Sequence, residues 1–114
     1  MILPEKGQLL RIFIGESDHH KGKPLYEWIV LKAREAGLAG ATVIRGIEGF
    51  GATSRIHTAK ILRLSEDLPL IIEIVDTSEK IEAFMPQIDA AINEGLATIE
   101  NVNIRLYRSA KKSD

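Results

Sequence analysis

Apolar residues alternate with polar ones in some segments of the chain and recur every three to four positions in others. Alternation is typical of half-buried strands, whereas the longer spacing is typical of helices. The alternating or continuously apolar segments predict four strands, over Gln8–Ile14, Ala41–Ile47, Leu68–Val75 and Asn101–Arg108. A weaker signal over Ala59–Leu64 predicts a further short strand or hairpin arm.

Two helices are predicted between these strands. The first begins at Pro24, whose missing N–H costs nothing in a first turn, and ends at Gly37, which can adopt the left-handed conformation of a helix cap. The second has Asp76 as its expected N-cap, with Glu79 three residues later. It ends at Gly95, where the Gly-Leu turn that closes the first helix recurs.

The order of elements is therefore β-α-β, a glycine-rich segment, and β-α-β again. Two such units with right-handed crossovers form a four-stranded antiparallel sheet with both helices on one face. We therefore predict an α+β, ferredoxin-like βαββαβ fold. The 114 residues are expected to form one domain, 1–114, with a core over 8–108 and a polar C-terminal tail over 109–114.

The sheet face opposite the helices is predicted to mix apolar and charged side chains. Alternation assigns to it Leu9, Arg11, Phe13, Val43, Arg45, Ile71, Glu73, Val75, Arg105 and Tyr107. Such a mixture suits a contact between subunits, so we predict a closed homo-oligomer that uses this face. A solvated face with scattered hydrophobic residues is the alternative.

Composition narrows the class of protein. A net charge of -1 gives no support for nucleic-acid binding, which usually needs a basic surface. The chain has no cysteine, which excludes disulfides and thiolate metal sites. No apolar run approaches the roughly 20 residues of a membrane span, and the first residues do not resemble a signal peptide. A cytoplasmic protein is expected.

The second predicted strand leads into the segment Arg45–Arg55, which contains Gly46, Gly49 and Gly51. Its spacing is neither that of a dinucleotide-binding fingerprint nor that of a P-loop. Successive backbone N–H groups in glycine turns can bind an anion, but the same glycines can simply form a bulge and a turn. Both interpretations stay open, and residues 48–60 are expected to form an irregular functional loop.

Other candidate residues lie in a loop and at a strand end. His19 and His20 are adjacent in a polar loop over 15–23, and with His57 they could form a three-nitrogen metal site. Solvated or anion-binding histidines are the alternative. Arg108 could bind a phosphate with two hydrogen bonds or be an exposed charge. The chain shows no nucleophile elbow, zinc-protease helix or kinase signature, so we do not expect an enzyme.

Four runs and a histidine-containing loop carry a resemblance to a known family. The runs are Arg-Ile-Phe-Ile-Gly-Glu, Pro-Leu-Tyr-Glu, Gly-Leu-Ala-Gly-Ala-Thr-Val-Ile-Arg-Gly-Ile-Glu-Gly-Phe-Gly and Leu-Pro-Leu-Ile-Ile-Glu-Ile-Val-Asp, and the loop lies between the first two. From about Gln8 to Arg108, the chain resembles the prokaryotic family catalogued as domain of unknown function 190, whose members look like PII signalling proteins.

The resemblance implies a homotrimer with inward-facing sheets and small effectors in clefts between subunits. The effectors of the PII-like superfamily are typically adenine nucleotides, sometimes with magnesium, and a long loop reports them to a partner protein. By position, Gly46, Gly49, Phe50 and Gly51 resemble the base of that loop. Similarly, Arg105 and Arg108 resemble arginines that meet phosphates. The chain lacks the loop tyrosine of nitrogen-sensing members, and 76–78 lacks the usual glycine and lysine, so uridylylation and ATP specificity are not implied.

The leading hypothesis is a non-enzymatic, trimeric PII-like regulatory protein that binds an adenine nucleotide, with or without magnesium, at intersubunit clefts and signals through the loop 48–60. The candidate binding residues are Arg45, Gly46, Gly49, Phe50, Gly51, Arg55, Arg105, Arg108, His19 and His20. One alternative is a divalent-metal-binding trimer resembling cation-tolerance proteins, with His19, His20 and His57 as ligands. Another is a ligand-independent adaptor for a membrane transporter or channel.

Overall fold

The structure is a computed structural model that describes residues 5–50, 57–58 and 67–110, with side chains except at 57 and 58. Its elements in chain order are β1 (Lys6–Gly15), β2 (His19–His20), β3 (Lys23–Pro24), α1 (Leu25–Glu35), β4 (Thr42–Arg45), β5 (Glu48–Gly49), β6 (His57–Thr58), β7 (Pro69–Asp76), α2 (Ser78–Ala91) and β8 (Leu96–Asn103). Four of the strands form one sheet in the order β4-β7-β1-β8, with every neighbouring pair antiparallel. This confirms the predicted α+β, ferredoxin-like arrangement.

The core lies between one face of the sheet and the two helices. Every second residue of β1 and β7 enters it, as expected of strands, and so does one stripe of each helix. The buried residues are Leu10, Ile12, Ile14, Leu25, Ile29, Ala33, Leu70, Ile72, Ile74, Ile81, Phe84, Ile88 and Ala91. Burial of each large side chain stabilises the fold by about 1.5–3 kcal/mol. Among the described residues, no helix is long and apolar enough to cross a membrane.

Helix α1 ends as predicted. Gly37 has φ +78°, and its N–H donates to Arg34 O at 3.1 Å while the Leu38 N–H donates to Ala33 O at 3.1 Å. These two bonds form a Schellman cap, which needs a left-handed residue at the position of Gly37.

The predicted ends of α2 are both wrong. The N-cap is Thr77, whose Oγ1 accepts the Lys80 N–H at 3.2 Å, whereas Asp76 is the last residue of β7. At the other end, the chain leaves α2 through an extended residue, Ile92. Gly95 does not cap the helix; instead, a Cβ there would lie 2.8 Å from Phe13 O. Its lack of a side chain lets the chain pass close to β1 as β8 begins.

The last strand lies earlier in the sequence than predicted. It runs over Leu96–Asn103, and the predicted strand residues Ile104–Arg108 lie beyond it. The strand pairs with β1 from Phe13 to Lys6, where β1 itself begins, so no partner remains for later residues. The alternating pattern placed the strand too late in the chain, because β8 is exposed and polar and the alternating residues come after it.

We call the sheet face that the helices leave uncovered the outer face. The register places on it Leu9, Arg11, Phe13, Thr42, Ile44, Ile71, Glu73, Val75, Leu96, Thr98 and Glu100. The prediction is confirmed for β1 and β7 but wrong for Val43 and Arg45, which pair with Ile72 and Leu70 on the helix side. In a short strand, a shift of one residue exchanges the two faces. The predicted Arg105 and Tyr107 lie outside the sheet.

Two segments predicted to be irregular contain short hairpins. In the loop 15–23, β2 pairs with β3 around Lys21 and Gly22, which have φ +53° and φ +80°, the pattern of a two-residue hairpin turn. In the segment 48–60, β5 pairs with β6. The predicted strand over Ala59–Leu64 lies outside the described residues.

Candidate functional site

The candidate residues fall at two opposite ends of the sheet. Arg45, Gly46 and the histidine loop lie where β1 and β4 end and β7 begins, which we call the glycine end. Arg105 follows β8 at the other end, the C-terminal end, where β1 begins and β7 finishes. Since β7 has 8 residues, the two ends lie about 23 Å apart. One chain does not bring the two groups of candidates together.

At the glycine end, Gly46 and Gly49 pack against Pro69. The Gly46 N–H donates to Pro69 O at 2.7 Å, so it is not available to an anion. A Cβ at Gly46 would lie 2.9 Å from Pro69 Cγ, and one at Gly49 would lie 3.1 Å from the same atom. These contacts favour a packing role for both glycines over an anion-binding one. Gly51 and Arg55 lie outside the described residues, so their predicted roles stay predictions.

Arg45 and Phe50 expose their side chains at this end. Arg45 Nη2 forms an ion pair with Glu16 Oε2, yet the Arg45 side chain is 61% exposed. Glu16 is held in place by its own N–H, which donates to Leu68 O at 2.8 Å. Phe50 is 66% exposed at the end of the described glycine segment. Both side chains therefore remain accessible to a ligand or to another chain.

The two adjacent histidines make separate contacts. His19 Nδ1 hydrogen-bonds Ser17 O at 2.7 Å. The His20 ring instead packs edge-on against Trp28, with ring centroids 4.6 Å apart. No group of three His, Cys, Asp or Glu residues that could hold a metal ion occurs in the part of the chain that the structure describes. The His57 side chain lies outside that part, so the three-histidine metal site stays a prediction.

At the C-terminal end, the chain after β8 crosses the outer face over Gly7. The Ile104 N–H donates to Glu5 O at 2.5 Å. A Cβ at Gly7 would lie 2.7 Å from Ile104 Cδ1 and 2.8 Å from Asp76 O, so this crossing needs a glycine. Farther on, Tyr107 Oη donates to Ala39 O at 3.4 Å. The segment 104–107 thereby joins β8 to the connection between α1 and β4.

This crossing creates a groove of about 490 Å³, within the usual range for small-molecule sites. Residues 39–42 form one wall, residues 102–107 form the other, and Glu73 and Val75 of the outer face also line it. Arg105 was predicted from the sequence as a binding residue, but the groove itself was not. Gly7 lies just before the predicted strand Gln8–Ile14 but inside the observed β1, so the close approach that a strand glycine often marks was not visible from the predicted bounds.

Charges are distributed unevenly around the groove. Glu73 Oε2 accepts from Arg11 Nε at 2.9 Å, and Arg11 Nη1 donates to Glu100 Oε1 at 2.9 Å. The hydrogen bond with Glu73, which outweighs the opposing effect of desolvation, raises the pKa of Arg11. In contrast, Arg105 and Arg108 are exposed and form no ion pair with any described residue. The Arg105 guanidinium can therefore meet an anion in this partly apolar groove, which Arg105 lines and Arg108 does not.

Solved structures with the same architecture are PII-like proteins. The chain matches CPII from Thiomonas intermedia K12, described as a nitrogen regulatory PII-like protein bound to ADP, AMP and bicarbonate, with a TM-score of 0.56 and 21% identity over 87% of this chain and 88% of that one. It also matches a putative PII-like signaling protein from Thermus thermophilus, with a TM-score of 0.64 and 17% identity over 87% and 89% of the two chains. These similarities show a PII-like fold.

Closer relatives are found by sequence. A UPF0166 protein of Aquifex aeolicus (strain VF5) is 43% identical over 87% of this chain and 93% of its own length. A UPF0166 protein of Methanocaldococcus jannaschii is 36% identical over 87% and 92%. Residues 7–104 match the family DUF190, described as Uncharacterized ACR, which confirms the resemblance seen in the sequence runs. The chain therefore belongs to the DUF190 family.

Proposed function

We propose that this protein is a non-enzymatic, PII-like regulatory protein that binds an adenine nucleotide in the groove at the C-terminal end. The observation that carries the proposal is that the groove opens onto the outer face, because Glu73 and Val75 belong to both. A second copy packed on the outer face would close the groove. The binding site would then be an intersubunit cleft.

The exposure of the outer face supports an oligomer. Its apolar residues include Ile44, which is 42% exposed, and Leu96, which is 57% exposed, beside the Arg11–Glu73 ion pair. An uncovered surface that combines apolar groups with matched charges is typical of a subunit interface. We propose a homotrimer with the outer faces turned inward. In this trimer, the glycine end of one copy would supply Arg45 and Phe50 to the groove of its neighbour.

The lining of the groove suits a nucleotide. Apolar atoms from Ala41, Val75 and Val102 can cover a base, while the guanidinium groups of Arg105 and Arg108 can donate paired hydrogen bonds to phosphate oxygens. The shared fold with CPII, whose structure was solved with ADP, AMP and bicarbonate, supports the choice of an adenine nucleotide. Magnesium is optional for nucleotide binding, since the arginines can supply the positive charge that the phosphates require.

The segment 48–60 would transmit the binding of the nucleotide to a partner protein. Its base is the β5–β6 pairing, which adjoins Pro69 through Gly49. A nucleotide that touches Arg45 and Phe50 of the neighbouring copy would favour one arrangement of this segment, as in other switches that act by ordering a loop. The segment would then bind a regulated partner, such as a membrane transporter or channel.

Isothermal titration with AMP, ADP, ATP and cyclic AMP tests the nucleotide proposal. We expect binding of at least one of them, and a loss of affinity of about tenfold or more in Arg105→Gln, because a charge-assisted phosphate contact disappears. Arg34→Gln is the matched control: it makes the same charge change at an exposed position in the last turn of α1 and should bind normally. The absence of heat with all four nucleotides would overturn the proposal.

A further inference from the structure

Asp76 is the one buried charged or polar residue in the described part of the chain, with 0% of its surface exposed. Its two carboxylate oxygens serve two different segments. Oδ2 accepts the Ala39 N–H at 2.8 Å, and Oδ1 accepts the Thr77 N–H at 2.7 Å. The carboxylate therefore connects the wall of the groove to Thr77, the N-cap of α2.

A carboxylate at this position has a geometric effect that an apolar side chain of the same size would lack. Burial of a charge is unfavourable unless hydrogen bonds compensate for lost water, and the two short bonds to Asp76 do so. An apolar residue would avoid burying a charge, but it would leave the Ala39 and Thr77 N–H groups without this acceptor, which is unfavourable. What an apolar residue could not do is hold the Ala39 N–H, and with it the orientation of the Ala39 peptide.

The Ala39 residue is also held from the opposite side. Its carbonyl oxygen accepts Tyr107 Oη at 3.4 Å, so the groove walls meet at this residue. The same connection between α1 and β4 is held again two residues earlier, where Lys80 Nζ of α2 donates to Gly37 O at 3.1 Å. The bond from Asp76 is the shortest of these three links and comes from the only fully buried partner.

We propose that Asp76 is a positioning residue of the nucleotide groove. By accepting the Ala39 N–H, Asp76 fixes the distance between the wall 39–42 and the wall 102–107 at the value that a ligand requires. The hydrogen bond from Tyr107 to the Ala39 carbonyl joins the two walls. Asp76 itself does not touch the ligand. This proposal rests on the proposed function, since it assigns the affinity of that same groove to a residue outside it.

Asp76→Asn tests the proposal with little change in size. An amide side chain can accept only one of the two N–H groups and turns its own NH₂ toward the other. We expect the dissociation constant for AMP or ADP, whichever the wild-type protein binds, to rise by about tenfold or more. Hydrogen exchange of the Ala39 amide in the nucleotide-free protein should accelerate by a similar factor, while the Ile12 amide in β1 keeps its rate.

Thr77→Ala is the matched control. It removes the Oγ1 that caps α2 and so weakens the protein nearby, but it retains both backbone bonds to Asp76. A purely structural role for Asp76 predicts that both variants lose affinity in proportion to their lost stability. The positioning role predicts that Thr77→Ala binds nucleotide within about twofold of the wild-type affinity and keeps the slow exchange of Ala39.

The outcomes separate this proposal from the proposed function. Unchanged affinity or unchanged Ala39 exchange in Asp76→Asn, with normal binding by the wild-type protein, would overturn the positioning role alone. No binding by the wild-type protein would overturn the proposed function and this proposal with it. If Asp76→Asn does not fold, hydrogen exchange of the wild-type protein carries the test: the Ala39 amide, which donates to the buried Asp76, should exchange slowly, and fast exchange would count against the proposal.

Discussion

Arg11 donates from Nε to Glu73 Oε2 at 2.9 Å on the outer face of the sheet. The same guanidinium reaches Glu100 on the opposite neighbouring strand, so one arginine joins β7, β1 and β8 across the face that the helices leave uncovered. In an isolated chain this arrangement is partly solvated and contributes little to stability. Beneath a second copy it would be desolvated, and each charge would then depend on its partner.

Arg11→Met should therefore affect assembly more than folding. The substitution leaves the Glu73 and Glu100 carboxylates unpaired, which is strongly unfavourable inside an interface. We expect the protein concentration needed to form the proposed trimer to rise by about tenfold or more, as measured by light scattering after size-exclusion chromatography. Arg34→Met, on the exposed side of α1, is the control. An unaltered trimer in Arg11→Met would show that the outer face is not the interface.

Gly7→Ala should destabilise the protein where the C-terminal segment crosses the sheet. The new Cβ would lie 2.7 Å from Ile104 Cδ1, which can move, and 2.8 Å from Asp76 O, which belongs to the backbone of β7. We expect a loss of about 1–3 kcal/mol in the free energy of unfolding, measured with urea. Gly40→Ala is the control, because nothing lies within 4 Å of its added Cβ. Equal stability of the two variants would contradict the described crossing.

Arg45→Gln should separate stability from ligand binding at the glycine end. The ion pair with Glu16 involves an Arg45 side chain that is 61% exposed, and such pairs contribute about 0–1 kcal/mol. The midpoint of thermal unfolding should therefore change little. If Arg45 reaches the groove of a neighbouring copy, nucleotide affinity measured by calorimetry should still fall, by about fivefold or more. Normal affinity would remove Arg45 from the proposed site.

Much of the fold was accessible from the sequence because local patterns depend on local geometry. Alternation located β1, which presents one face to the core and one to the outside, and a nearly continuous apolar run located β7. The position of Gly37 predicted the end of α1, because a left-handed cap favours a residue without a side chain. These predictions use only the periodicity of side chains along a strand or helix and the conformational freedom of single residues.

The sequence was less informative where a partner segment decides the outcome. The face of β4 depends on its register with β7, and β8 ends where β1 has no more residues to pair with. Neither property belongs to one segment alone. Similarly, the glycines at 46 and 49 suggested an anion site, but their contacts with Pro69 depend on a residue about twenty positions away in the chain.

By itself, the sequence determined the two β-α-β units, their order and the family. Periodicity and characteristic runs can be recognised without knowing which residues are in contact. Only the tertiary structure showed that Gly7 lets the C-terminal segment cross the outer face, that this crossing forms a groove, and that the buried Asp76 holds one wall of it. Each of these features joins residues far apart in the chain, and their proximity follows from how the whole sheet and both helices pack together.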